Sequence, residues 1–338
     1  MREARLRRFR HRAGPLVAIT AMVVAGAASQ GCSKGPSSST STGGTPFGSS
    51  VATAAVTSIA LDATPDPTGK TIYFTAVDPV AGPGVFSVPA DGSNTAPVTV
   101  QAGAPFAAPF GIAVSTDGKQ LYVADSGATD PTSGKDLGVI FSLPVGGGTP
   151  TILSGSALSN ARSLEVLQVS GADVVFYTGL DQASGAPGVF KVPATGGAVA
   201  TVAEGTPFSD PSGIAVAEDG TLYVADTVAA GSHTANVFKI DTAGAVTTFA
   251  TGVRVGYPAG IALSQDGTTL YLSSLDPVAF TDQVLEFDVA TQTTTATFTT
   301  GINTFYEAAG LHRAKNADVF GWADSAAGTK GGTVFAIQ

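Results

Sequence analysis

Apolar and polar positions alternate along this chain in short runs that recur in the same order. The clearest copies read Pro-x-Gly-Ile-Ala, then an Asp-Gly turn, then Leu-Tyr, and they span residues 109–122, 211–223 and 258–271. β-Branched and aromatic residues bounded by Gly, Pro and Asp are typical of strands separated by tight turns. No segment keeps the 3.6-residue apolar period of a long helix. The pattern therefore predicts an all-β protein.

Weaker copies of the same unit extend the series to six. A third apolar run follows in every unit, as in Val85-Phe86 or Val237-Phe238, and a fourth follows in most. The predicted equivalent positions, usually a glycine, are residues 58, 111, 163, 213, 260 and 310. Six units of four strands predict a six-bladed β-propeller, and no seventh repeat exists to build a larger ring.

The last unit ends at Gln338, directly after its third strand, so its fourth strand must come from elsewhere. Residues 47–56 precede the first unit and are the predicted donor. A strand from the start of the domain would complete the last blade, tie the two ends together and cover an open sheet edge.

The first 31 residues have the composition of an export signal. Six arginines lie within residues 1–12, and the uncharged, mostly small apolar segment 13–29 follows them. This order is typical of a secretory signal. The alternative is a membrane-spanning anchor, for which 17 residues are at the short end.

The single cysteine lies directly behind this segment, in Ser29-Gln30-Gly31-Cys32. The sequence resembles a bacterial lipoprotein signal, although Ser29 and Gln30 are unusual in it. The resemblance implies that Cys32 becomes the lipidated N-terminus and that the protein is anchored in the cell envelope, on the periplasmic or the cell-surface side. Cleavage within 25–29, which would release an unlipidated protein, remains the alternative.

These boundaries divide the chain into a signal peptide (1–31), a tether (32–46) and a propeller (47–338). The tether is rich in Ser, Thr and Gly and is expected to be flexible. The chain has 17 Lys and Arg and 26 Asp and Glu, and residues 1–31 hold six and one of them, so the remainder carries −14. That charge disfavours nucleic acid as a partner. One cysteine excludes an intrachain disulfide and a Cys-rich zinc site. We expect a monomer that contacts the membrane only through its lipid.

The repeated Pro-x-Gly-Ile-Ala-Val, Asp-Gly and Leu-Tyr-Val-Ala-Asp segments resemble NHL-type and gluconolactonase-like propellers over residues 50–338. The arginine usual in the third strand of NHL repeats is missing. In gluconolactonase-like proteins, acidic or amide residues just before the repeated glycines hold a divalent cation. Here those positions are Thr57, Phe110, Arg162, Ser212, Ala259 and Ala309. None offers a carboxylate or an amide, so we predict no metal site and no cofactor.

The residues at and just before these positions should converge at the mouth of the central channel. They are Phe110, Arg162, Asp210, Tyr257, Tyr306 and Glu307. Aromatic and charged side chains that meet in a concavity can bind a small ligand or a peptide. In the alternative, Phe110 and Tyr257 plug the channel and Arg162 pairs with a loop carboxylate.

The predicted function is therefore a non-catalytic binding or scaffold module that recognises an unidentified protein or small molecule through its loops. The alternative is a metal-dependent hydrolase or lactonase of the gluconolactonase-like class, with calcium as its cofactor. No catalytic motif is present, so no catalytic residue is predicted. His233 and His312 are interpreted as ordinary solvated histidines and Trp322 as a core residue. The aspartates that end the second strands are expected to accept hydrogen bonds from turns, and they are Asp78, Asp125, Asp181, Asp226, Asp276 and Asp324.

Overall fold

A computed structural model of the chain describes residues 50–55, 59–228, 234–276, 278–279, 281–299, 308–325 and 332–338. The predicted signal peptide, the tether and Cys32 lie outside these ranges. The described residues form six antiparallel sheets of four strands each and no helix. None of them belongs to a helix long and apolar enough to cross a membrane.

Each sheet is one blade, and its strands follow the chain order. Blade 1 contains β2 (Ala60–Pro65), β3 (Thr71–Asp78), β4 (Gly82–Pro89) and β5 (Val98–Ala102). Blade 2 contains β6 (Pro109–Val114), β7 (Gln120–Asp125), β8 (Val139–Pro144) and β9 (Thr151–Ile152). Blade 3 contains β10 (Leu164–Val169), β11 (Ala172–Leu180), β12 (Pro187–Pro193) and β13 (Ala200–Glu204).

The other three blades repeat the arrangement. Blade 4 contains β14 (Pro211–Val216), β15 (Leu222–Asp226), β16 (Ala235–Ile240) and β17 (Val246–Val253). Blade 5 contains β18 (Ile261–Leu263), β19 (Thr269–Asp276), β20 (Thr281–Asp288) and β21 (Thr293–Phe298). Blade 6 contains β22 (Ala308–Arg313), β23 (Phe320–Asp324), β24 (Thr333–Ile337) and, at its outer edge, β1 (Ser50–Ala55).

The first strands of the blades contact one another in a closed ring. β2, β6, β10, β14, β18 and β22 each lie beside the next, and β22 lies beside β2. This arrangement confirms the six-bladed propeller. Every first strand begins on the face that carries the links between blades and the loops between second and third strands, which we call the loop face. It ends on the opposite face, the turn face, where a tight turn leads to the second strand.

The N-terminal strand completes the last blade, as predicted. β1 pairs antiparallel with β24, with Ser50 opposite Ile337 and Ala55 opposite Thr333. The last blade is thus built from both ends of the domain, so the ring cannot open at blade 6 without breaking this pairing. Since strand direction alternates within a blade, Ser50 lies at the turn face.

The repeated glycine is explained by how closely neighbouring inner strands approach. A Cβ added to Gly213 would lie 2.2 Å from the carbonyl oxygen of Ala259, in the next blade. A Cβ added to Gly260 would lie 2.4 Å from the carbonyl oxygen of Ala309. These distances leave no room for a side chain, so the glycines set the spacing of the ring.

Blade 1 departs from the predicted alignment. Asp62 pairs with Thr75 just as Gly111 pairs with Ala124 in blade 2, and both strands are irregular at this point. The residue equivalent to the repeated glycine is therefore Asp62 and not Ser58, and Leu61 rather than Thr57 holds the channel-mouth position. The prediction was wrong because the sequence of residues 58–61, Ser-Ile-Ala-Leu, resembles the repeated Gly-Ile-Ala-Val. This segment begins four residues before the true repeat position of blade 1.

The core lies between the blades. One cluster joins Phe74 and Phe86 of blade 1 to Val334 of blade 6. Trp322 is fully buried, and its ring centroid lies 5.6 Å from that of Phe335 on the neighbouring strand. The prediction that Trp322 is a core residue is confirmed. Large aromatic side chains such as these supply much of the apolar area that is buried in the core.

Candidate functional site

Four residues predicted for the channel mouth come together at the loop face. The rings of Phe110 and Tyr257 meet edge to face with their centroids 5.7 Å apart. The guanidinium carbon of Arg162 lies 5.7 Å from the centroid of the Tyr257 ring. Nη2 of Arg162 lies 3.9 Å from Oδ1 of Asp210. We call these four residues the upper layer. Tyr306 and Glu307, predicted with them, lie outside the described residues.

The upper layer crosses the axis of the ring. Phe110 belongs to blade 2 and Tyr257 leads into blade 5, which stands opposite. Their contact matches the alternative in which the two aromatic rings close the channel, and Arg162 has the carboxylate partner that this alternative requires. All four residues nevertheless stay partly exposed. The layer closes the channel and is still accessible from the loop face.

The backbone of Asp210 is fixed by Asp226, at the end of β15. The Asp226 carboxylate accepts hydrogen bonds from the backbone N–H groups of Ser209 at 2.7 Å and Asp210 at 3.0 Å. Burial raises the pKa of the Asp210 carboxyl; Arg162 opposes the rise and the negative charge of Asp226 adds to it. Burial also raises the pKa of Tyr257 to about 12, so its hydroxyl stays protonated at neutral pH.

Arg162 has unused hydrogen-bonding capacity. A guanidinium carries five N–H donors. Within the described ranges its partners are Asp210, at 3.9 Å, and the face of Tyr257. The first distance is too long for a hydrogen bond. The Arg162 side chain is 23% exposed, so its donors can reach an acceptor that approaches from the loop face.

A second group of polar residues crosses the axis deeper in the channel. Nε2 of His312 lies 3.0 Å from Oδ2 of Asp62, and its Nδ1 lies 3.1 Å from Oε2 of Glu165. Lys315 bonds the other oxygen of Glu165 and the backbone carbonyl of Val166 at 2.8 Å. We call Asp62, Glu165, His312 and Lys315 the lower layer. It joins blades 1, 3 and 6.

The central pair of the lower layer, His312 and Asp62, is almost completely buried. His312 and Asp62 are 2% and 1% exposed. Asp62 also accepts hydrogen bonds from the backbone N–H groups of Ala63 and Ile112, both at 2.9 Å. Its oxygens therefore have partners in its own blade, in blade 2 and in blade 6. A charged group can be buried at acceptable cost only when it is paired in this way.

The two carboxylates keep His312 protonated. Burial alone would lower its pKa, but Asp62 and Glu165 together raise it to about 10. Burial alone would raise the pKa of Glu165, but Lys315 and His312 hold it below its usual range. Each basic group of the layer thus lies against a carboxyl group, His312 against Asp62 and Glu165, and Lys315 against Glu165.

The interpretation of His312 as an ordinary histidine was therefore wrong, and His233 lies outside the described residues. His312 and Glu165 occupy the inner-strand position that holds alanine in blades 2, 4 and 5, at Ala113, Ala215 and Ala262. Charged residues at a repeat position that is otherwise apolar were the signal that the sequence offered. Asp62 was missed because blade 1 was aligned four residues too early.

The strand-ending aspartates form two sets and not one. Asp125 and Asp226 end their strands within the sheet, and each bonds the backbone that leads into its own blade. Asp78, Asp181 and Asp276 lie two register positions further on, and each bonds the backbone of its own hairpin turn. The prediction that these carboxylates accept turn N–H groups is confirmed for these five of the six, but the assumption that all six positions are equivalent was wrong.

No protein-family model and no curated protein sequence matches the chain. Solved structures do. A gluconolactonase from Xanthomonas campestris superimposes with a TM-score of 0.60 and 17% identity, over 85% of this chain and 88% of that chain. A chain of a nidogen/laminin complex gives 0.57 and 18%, over 76% and 85%. A luciferin-regenerating enzyme gives 0.54 and 13%, over 83% and 91%. These likenesses show the fold.

The six-bladed propellers that resemble this chain thus include a gluconolactonase and a member of a protein–protein complex. The fold is compatible with catalysis and with binding, so the function has to be argued from the side chains. In the described part of the chain, no three or more His, Cys, Asp and Glu side chains are grouped so that they could hold a metal ion.

Proposed function

We propose that this chain is an exported binding propeller, anchored in a bacterial envelope through a lipid on Cys32, that recognises a ligand at its loop face without catalysis. The observation that supports this most is the position of Arg162. Its guanidinium lies half-exposed between Asp210 and Tyr257, and its N–H donors have no hydrogen-bond acceptor among the described residues.

The chemistry of the upper layer fits a ligand group that accepts hydrogen bonds. A guanidinium is planar and can give two parallel bonds to a carboxylate. Asp210 holds it from one side at 3.9 Å, too far to occupy its donors. Phe110 and Tyr257 supply apolar surface beside it. A carboxylate or a peptide carbonyl carried next to an apolar group is the ligand chemistry that these residues favour.

The rim of the loop face favours a protein as the bearer of that group. Val80 and Val278, at the hairpin tips of blades 1 and 5, are 95% and 84% exposed. The carboxylates of Asp78 and Asp276 fix both tips by accepting hydrogen bonds from their backbone N–H groups. The two tips offer a protein partner apolar surface to bury around a central arginine, a residue type enriched at the centres of protein interfaces.

Site-specific photo-crosslinking tests the binding face. A photoreactive residue is placed at Val80, on the loop face, or at Val98, an exposed valine at the turn-face end of β5 in the same blade. We expect a defined adduct in cells from position 80 and none from position 98. Replacing Arg162 by Met should remove the adduct while the protein stays folded. Equal adducts from both positions, or an adduct that is indifferent to Arg162→Met, would contradict the proposal.

The anchor is tested separately. Incorporation of an alkyne-labelled fatty acid is compared between the wild type and Cys32→Ser. We expect labelling and membrane fractionation only in the wild type. An unlabelled wild-type protein in the soluble fraction would instead support simple signal cleavage.

Melting with EDTA and with excess calcium tests the metal-dependent lactonase alternative. A ligand that binds only the folded state adds about 2.7 kcal/mol at a hundredfold excess over its dissociation constant. We expect the two melting temperatures to agree. A calcium-dependent rise, together with hydrolysis of a lactone, would replace the binding proposal with the enzymatic one.

A further inference from the structure

The turn face carries a cavity at the other end of the channel. Its volume is about 410 Å³, and it is lined by the ends of inner strands and by the turns that follow them in blades 2 to 6. Lys315 and Glu165, the two outermost residues of the lower layer, form part of its wall. The lower layer thus separates this cavity from the loop face, and the two ends of the channel are independent of each other.

The turns around this cavity differ at the residue that lines it. Blades 2, 4 and 5 share a turn of the form Ser/Ala-x-Asp-Gly, in which x is Thr116, Glu218 or Gln265. The corresponding turn of blade 6 places Lys315 there. Thr116, Glu218 and Lys315 all line the cavity. The repeat therefore keeps its structural turn residues and varies the one that faces this space, as expected for a site that binds an asymmetric ligand.

The polar groups of the cavity include a lysine with one spare N–H donor, an exposed glutamate, and Arg313, whose positive charge interacts with the negative charge of Glu218. Lys315 has three N–H groups and gives two of them to Glu165 and the Val166 carbonyl. The carboxylate of Glu218 forms no hydrogen bond and no ion pair with any described residue. A positive and a negative group with unused capacity therefore face the same space from blades 6 and 4.

The ends of inner strands form much of the rest of the wall. Val166, Val216 and Leu263 lie there in blades 3, 4 and 5, and the first and last of them are only 2% and 6% exposed. Two smaller cavities, of about 360 and 380 Å³, adjoin on either side, and Glu218 lines both of them as well. Glu218 is thus the centre of the indented part of the turn face.

We propose that this cavity is a second binding site, for a small zwitterion such as a free amino acid or a dipeptide. The ligand carboxylate accepts a hydrogen bond from Lys315, and its ammonium group donates to Glu218. The site does not depend on the proposed loop-face function, because the lower layer separates the two.

Calorimetric titration of the purified protein tests this site. The probes are L-leucine and glycyl-L-leucine, with N-acetyl-leucine lacking the ammonium group and leucinamide lacking the carboxylate. We expect one of the first two to bind and both controls to bind at least about tenfold more weakly, the equivalent of about 1.4 kcal/mol. Glu218→Gln should weaken zwitterion binding by a similar factor. Glu218 is exposed, so this variant should fold normally.

Two further variants locate the binding. Glu204→Gln changes an exposed carboxylate on the outer strand of blade 3, away from the cavity, and should leave affinity unchanged. Arg162→Met should also leave it unchanged, because Arg162 belongs to the upper layer. Absence of binding by both zwitterions at 10 mM, equal binding of leucinamide, or a loss caused by Arg162→Met but not by Glu218→Gln would overturn the proposal.

Discussion

The upper and lower layers both cross the axis of the same ring, but they are held in different ways. The upper layer is half-exposed, and its one ion pair spans 3.9 Å. In the lower layer His312 is buried, and its ring nitrogens lie 3.0 and 3.1 Å from two carboxylates on other blades. The first arrangement leaves hydrogen-bond donors free, whereas the second uses both nitrogens of its imidazole.

This difference separates binding from ring stability. Exposed ion pairs contribute about 0–1 kcal/mol, because water screens them and side-chain ordering opposes them. Removing one member of a buried pair costs about 3–5 kcal/mol, because the remaining charge is left without a partner. The lower layer is therefore expected to hold blades 1, 3 and 6 together, while the upper layer can rearrange around a ligand at little cost.

Replacing His312 by Gln should give the largest effect. The substitution removes the positive charge between Asp62 and Glu165, and we expect a loss of about 3–5 kcal/mol in the free energy of unfolding. Urea denaturation of both proteins measures it. The control is Lys119→Gln, which breaks the exposed Lys119–Asp117 pair and should leave the midpoint unchanged. If both variants lost the same small amount, the layers would not differ as proposed.

Adding a methyl group to Gly310 should displace Asp62 of the lower layer. A Cβ at this position would lie 1.7 Å from Oδ1 of Asp62 and 2.8 Å from its Cα, so Asp62 would have to move. We expect Gly310→Ala to cost at least about 1–3 kcal/mol, the usual range for overpacking. Gly146→Ala is the matched control, since nothing lies within 4 Å of its added Cβ. A stability loss shared by the two variants would point to a general effect of removing glycine.

The pH dependence of stability should show the charge state of His312. The pKa of this histidine is raised from 6.5 to about 10 on folding. The contribution of His312 to the free energy of unfolding is therefore complete below pH 6.5. It is lost as the pH rises towards 10, by at most about 1.4 kcal/mol per pH unit. The pKa of Glu165 is lowered, so its contribution is lost as the pH falls below about 4.5.

The difference in unfolding free energy between wild type and His312→Gln isolates this term from other titrating groups. It should be largest between about pH 4.5 and 6.5 and shrink as the pH rises above 6.5. A difference that stayed constant from pH 6 to 10 would mean that His312 is neutral in the folded protein.

The repeat predicted the propeller because each blade contains enough local information to be recognised. Gly213 and Gly260 recur because the inner strand of each blade packs closely against that of the next. Residues that this packing requires repeat at a regular interval. The closing strand could be predicted as well, since the last blade lacked a strand and the segment before the first blade had none to pair with.

The lower layer could not be predicted because it has no local pattern. Asp62, Glu165 and His312 lie about 100 to 250 residues apart, and their proximity depends on which blades face each other across the ring. Because Ser58 was taken as the repeat position of blade 1, four residues too early, Asp62 was not recognised as a residue of the channel. Phe110, Arg162 and Tyr257 were predicted to converge because they hold equivalent or adjacent repeat positions, so that the symmetry of the fold brings them together.

Replacing Arg162 by Met should have the smallest effect on stability and the clearest effect on binding. Met keeps much of the apolar stem that packs beside Tyr257, and the lost pair with Asp210 is long and half-exposed. We therefore expect a change of at most about 1 kcal/mol in the free energy of unfolding, measured in the same urea series as His312→Gln. Loop-face crosslinking from position 80 should disappear. A loss as large as that of His312→Gln would show that the upper layer also holds the ring together, and its exposed donors would then no longer argue for a ligand.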